Sequence, residues 1–187
     1  MKVHCGYPSG PFGGCFSLLE ARVTVGEKIA NKALAALGEP DTERRPFFCL
    51  AFVRDVIEEA LDLPAYQLYA LLAKGMTAQE YRRRWAVDAE MACRKLGYSV
   101  VIDRKNPLKP GDIVFSDASA PYGHVGVVVE RDGRLYVVEN TASKSRQRKY
   151  GQGGGALAVT PLQAWDRITT VVRLPEDFGS LGRARIA

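Results

Sequence analysis

Residues 123–140 read GHVGVVVERDGRLYVVEN. Two runs rich in β-branched residues flank Asp132-Gly133. An Asp-Gly pair tolerates the positive φ that a tight hairpin requires, so the stretch predicts two antiparallel strands. Further short β-branched runs, YSVVID, GDIVFS and ITTVVRLP, predict more strands around it. Everything before residue 98 has a different texture. A chain that places helices first and a small antiparallel sheet after them is expected to be α+β, with the helices packed on the sheet.

The helical half divides at its punctuation. TVGEKIANKALAALG predicts a helix that ends at Gly38, with Pro40 beyond it. The next helix carries an apolar stripe at Cys49, Phe52, Val53, Val56, Ile57, Ala60 and Leu61, with Arg54, Asp55, Glu58 and Glu59 on its other side. Pro46 bars it from starting much earlier, and Pro64 stops it. AYQLYALLAKG predicts a short helix closing at Gly75. MTAQEYRRRWAVDAEMACRKLG predicts one long helix, capped by Thr77 with Glu80 and ended by Gly97. SKSRQRKYGQGGGAL reads as a polar, basic, glycine-rich loop. Asp112, after Pro110-Gly111, reads as a turn residue. Residues 1–22, rich in Gly and Pro, read as an irregular arm, and 23–187 as a single domain large enough for its own core.

The net charge of +5 favours anionic partners without choosing between nucleic acid, a membrane surface and an acidic wall polymer. The N-terminus lacks the apolar run of a signal peptide after Lys2, and no segment approaches the ~20 apolar residues of a membrane span. The expectation is synthesis in the cytoplasm; work outside the cell then needs lysis, carriage on a virion or a dedicated export route. Cys5, Cys15, Cys49 and Cys93 are read as free thiols, with no CxxC pair among them. His4, Cys5 and Cys15 lack a fourth ligand and a regular spacing, so neither a metal nor any other cofactor is expected.

There are two histidines, His4 and His124. Cys49 opens a helix, and His124 heads a strand. A thiol attacks as its thiolate, a form that a helix N-terminus and a neighbouring imidazolium both favour. The imidazole in turn needs a partner on its far nitrogen. Glu139 and Asn140, at the end of VVEN, are the candidates for that role. Cys93, mid-helix among Met91, Ala92 and Leu96, reads as core, Trp85 and Trp165 as core or cleft wall, and Tyr122 as a residue lining the cleft or packing near it.

The motifs CLAFV at Cys49, LKPGDIVF at 108–115, GHVGVVV at 123–129 and VVEN at 137–140 resemble the papain-like cysteine peptidases of the NlpC and CHAP kind. The resemblance spans roughly residues 25–142. It implies a papain-like NlpC/CHAP fold and a thiol hydrolase that cleaves peptide or amide bonds, with bacterial peptidoglycan as the favoured substrate and a peptide as the other. Cys49 would be the nucleophile and His124 the base. Phe48 stands where the family usually has Asp or Asn. The segment between the cysteine helix and PGDIVF is long and helical. Both departures bear on specificity. The alternative is a catalytically inactive basic binding protein on the same fold, attached to nucleic acid or an anionic wall polymer. Arg146, Arg148 and Lys149 are the candidate contacts for such a polymer in either case.

The hairpin register decides the third residue. A two-residue turn at Asp132-Gly133 sets Glu139 on the face of His124 and turns Asn140 away. A three-residue loop that includes Arg131 pairs Glu130 with Arg134 and brings Asn140 opposite His124. Turn chemistry favours the second and the family resemblance the first; the resemblance is followed here, and Glu139 is preferred.

Overall fold

The computed structural model describes residues 23–38, 48–151 and 156–183. The expectations for the arm 1–22, for His4, Cys5, Cys15 and Pro46, and for the glycine run at 152–155 lie outside these residues. The described chain is α+β. Its helices are α1 (Val25–Ala35), α2 (Cys49–Ala60), α3 (Gln67–Leu72), α4 (Ala78–Arg83), α5 (Ala86–Lys95), α6 (Lys144–Tyr150) and α7 (Phe178–Arg183). Its strands are β1 (Ser99–Val100), β2 (Ile113–Ser116), β3 (His124–Arg131), β4 (Arg134–Asn140), β5 (Leu157–Pro161) and β6 (Ile168–Val172). They form one antiparallel sheet in the order β1-β6-β2-β3-β4-β5.

Alternation along each strand gives the sheet two different faces. Ile113, Phe115, Val125, Val127, Val129, Val138, Leu157, Val159 and Val172 join one apolar core with α1, α2, α3 and α5. Val114, Val128, Val137 and Val171 face the other way and pack with Trp165. The second face is covered by connecting segments, including the 3-10 turn Leu162–Ala164 that delivers Trp165.

Thr24 and Thr77 each cap a helix through a reciprocal capping box, with Glu27 and Glu80 as partners. The long helix expected over 76–97 is two helices. Arg84 adopts the left-handed region at φ 55° and Trp85 is extended. Tertiary contacts override local propensity at this break. The Val87 N–H donates to the Tyr122 carbonyl at 3.1 Å, Trp85 meets Tyr122 edge-on at 4.8 Å, and Arg83 pairs with Asp88 at 2.6 Å. YSVVID yields only two paired residues. Asp103 takes the N–H groups of Lys105 and Asn106 and bends the chain out of the sheet. The basic segment read as a loop begins with α6, whose N-terminus is capped by the Ser143 hydroxyl on the Arg146 N–H. Strand β5 and helix α7 were not anticipated.

The Asp132-Gly133 turn has two residues, at φ 50° and φ 70°, and pairs Arg131 with Arg134. The three-residue loop does not form. A turn with both central residues left-handed matches the twist of the strands, and the two arginines brought opposite each other are exposed. Among the described residues, no helix is long and apolar enough to cross a membrane.

The Pro110-Gly111 turn locks α1 to the sheet. The Gly111 N–H donates to Val128 at 2.8 Å, and Asp112 accepts from the Lys109 N–H and pairs with Arg173 at 2.7 Å. Gly111 has φ +88°, and a Cβ there would lie 2.1 Å from the Gly26 carbonyl oxygen. Gly133 is also left-handed but, among the described residues, has nothing within 4 Å of a Cβ. Gly111→Ala therefore combines backbone strain with a backbone clash and should cost about 3 kcal/mol or more. Gly133→Ala should cost about 1 kcal/mol. Urea midpoints of the two variants measure the gap; equal losses would show that α1 does not bear on this turn.

Candidate active site

Helix α2 packs against β3 and β4. Its first residue, Cys49, thereby comes near the first residue of β3, His124, close enough to act on its protonation. Cys49 is half-buried. Phe48 precedes it as N-cap, half exposed, and offers no side-chain hydrogen bond to the helix. Among the described residues no side chain caps the opening N–H groups of α2, an arrangement suited to receiving an oxyanion.

The hairpin register places Glu139 opposite Gly126 and hence on the same face as His124. His124 Nε2 lies 2.6 Å from Glu139 Oε2. With Nε2 so occupied, Nδ1 is the ring nitrogen left for Cys49. Asn140 points to the other face, the one covered by helices. It pairs with Leu157, is buried, and its Oδ1 has no hydrogen-bond partner among the described residues. Glu139 and Asn140 were both open from the sequence; the structure brings Glu139, not Asn140, to His124.

Glu139 has no exposed surface. Thr160 of β5 donates to its Oε1, and Arg146 of α6 approaches its Oε2 at 3.2 Å. Arg146 also pairs with Asp166 at 2.5 Å and lies 5.3 Å from the ring centre of Trp165. Trp165 stacks on His124 at 5.2 Å, with the planes 21° apart. Arg146 had been read from sequence as a surface contact, but it is turned inward, while Arg148 and Lys149 stay exposed. Thr160 and Asp166 escaped notice. The alternating LAVTP that carries Thr160 was the available signal, obscured by the glycines before it. Cys93 lies in the core, where burial pushes its thiol up to about 12.

Burial by itself would lower the pKa of His124. The hydrogen bonds and charges of Cys49 and Glu139 outweigh it and raise the value from 6.5 to about 9. Burial pushes Glu139 up, yet its contacts with His124, Thr160 and Arg146 hold it below its ordinary 4.5. The site is therefore arranged to keep an imidazolium and a carboxylate in contact at neutral pH.

Compared with known proteins, residues 41–141 match the model of one family, described as the CHAP domain. The match covers the cysteine helix, β2, β3 and β4. No curated protein and no solved structure matches the chain.

The pKa shifts have opposite signs, which sets a pH window for stability. The raised His124 value contributes in full below 6.5 and is lost as pH rises through about 9. The lowered Glu139 value contributes above 4.5 and is lost as pH falls through its folded value. The stability difference between the native chain and Glu139→Gln should therefore peak between pH 4.5 and 6.5 and shrink towards pH 9. Urea titrations at several pH values measure it; a difference independent of pH would mean that the pair is not ionised.

Proposed function

The chain belongs to the CHAP domain family, a family of hydrolytic amidases and peptidases, and on that premise we propose that it is a thiol hydrolase acting on peptide or amide bonds of bacterial peptidoglycan. The observation that carries the reading is the single imidazole of His124, held by Glu139 at 2.6 Å, with Cys49 close enough to act on its protonation. In this reading the Cys49 thiolate attacks the carbonyl carbon. The resulting oxyanion is met by the uncapped N–H groups at the start of α2. The His124 imidazolium gives its proton to the departing amine, leaving an acyl-thioester on Cys49. Neutral His124 then takes a proton from water as the water attacks the thioester, and the acid is released with the thiol restored. Glu139 holds the ring with one nitrogen toward the sulfur and stabilises the imidazolium.

Arg148 and Lys149, exposed on α6, are proposed to hold the anionic wall polymer. Their contribution would be salt-dependent, since exposed charges are screened over about 8 Å at physiological ionic strength.

Digestion of purified peptidoglycan, with mass analysis of the fragments, tests the reaction. Cys49→Ala should abolish fragment release with the fold intact, and His124→Ala should slow it about a thousandfold. Cys93→Ser should leave it nearly unchanged. Binding without cleavage by the native chain would turn the reading toward a binding protein, and full activity in Cys49→Ala would end it. Mass mapping after iodoacetamide at pH 6 should find Cys49 alkylated and Cys93 untouched. Joint replacement of Arg148 and Lys149 by Ala should weaken retention on peptidoglycan at low salt, while hydrolysis of a short soluble peptide continues at the native rate.

A further inference from the structure

Helix α6 sends one of its basic residues away from the surface. The Arg146 Nη1 atom lies 3.2 Å from Glu139 Oε2 and 3.5 Å from Oε1, so a single guanidinium nitrogen spans both carboxylate oxygens. The other terminal nitrogen, Nη2, holds Asp166 at 2.5 Å. The guanidinium carbon sits 5.3 Å from the ring of Trp165, the same ring that stacks on His124. Arg146 thus reaches His124 by two routes, through the carboxylate that bonds it and through the indole that packs on it.

Resting on the hydrolase reading, we infer that Arg146 is a positioning residue, which clamps the Glu139 carboxylate toward His124 and makes α6 part of the active site. Glu139 has no exposed surface and thus no solvent to share its charge. The charged groups near it are His124 from β3 and Arg146 from α6; Thr160 from β5 is a neutral donor. Asp166 lies beyond Arg146 and competes for its charge, and Cys49 lies beyond His124. His124 is the partner that must change its protonation during turnover. Arg146 does not titrate at these pH values, so it can hold the carboxylate charged and in place while the imidazole loses and regains its proton.

The test follows the His124 imidazole by nitrogen NMR in the full chain, with His4→Ala to assign the two histidines. In the native chain, protonation of Glu139 at acidic pH should appear as an inflection in the His124 signal. Arg146→Ala should move that inflection up by about one pH unit, the usual effect of removing an opposite charge beside a carboxylate. Arg146→Lys should restore part of the shift. Asp166→Asn, which leaves Arg146 to Glu139 alone, should move it down. On a short peptide, Arg146→Ala should lower kcat about tenfold with KM within twofold, and Arg131→Ala, at the exposed hairpin tip, should change neither. An inflection unmoved in a folded Arg146→Ala chain would overturn the proposal and leave Arg146 as a tie between α6 and the sheet. Should that variant fail to fold, Asp166→Asn decides alone: an inflection that stays or rises overturns it. The titration needs no turnover, so failure here and failure of the hydrolase reading are separate results.

Discussion

A carboxylate with no exposed surface lies near the end of the sheet, and the neighbouring elements answer it. Burying an unpaired charge would cost several kcal/mol. Glu139 is instead met by His124 from β3, Thr160 from β5 and Arg146 from α6. These contacts tie two strands and a helix to one point on β4. They also leave His124 oriented, with its second nitrogen turned to Cys49 at the head of α2. An isolated pair of Cys49 and His124 would have no such constraint, because either ring nitrogen could face the sulfur.

Much of this layout is legible in the sequence. The stripe from Cys49 to Leu61 predicts α2 to within about one turn, and Asp132-Gly133 predicts the hairpin. Residue type and motif single out Cys49, His124 and Glu139, and the fold brings all three together. The sequence leaves Glu139 and Asn140 in competition for the imidazole. Local turn chemistry favoured the loop that seats Asn140, and the structure adopts the tighter turn instead. One residue of register moves every side chain of β4 to the opposite face, so a small preference in two turn residues decides which polar group reaches the imidazole.

The parts that were not legible share a cause: their conformation is decided by partners distant in sequence. The break at Arg84-Trp85 exists because Tyr122 and Val87 meet there. Nothing local in AQEYRRRWAVDAEM requires it. Helix α6 looks like a solvated basic run until Glu139 and Asp166 are placed around Arg146. Composition alone reads KSRQRK as six similar exposed positions, and only the three-dimensional neighbourhood separates Arg146 and Gln147, which turn inward. Sequence reasoning thus finds the groups that carry chemistry more readily than those that hold them.

The strand order has a consequence for how the molecule is assembled during synthesis. β6 lies between β1 and β2, and both of those strands precede it by more than fifty residues. Among the described residues β1 has no other neighbour in the sheet. When the hairpin of β3 and β4 first leaves the ribosome, β2 can join it on one side, but its other edge stays open until residues 168–172 arrive. Such non-local pairing is slow to form and leaves an unpaired apolar strand edge meanwhile. Helices α1 to α5, which are translated before any strand, are then the elements available to cover the sheet while it waits for its last strand.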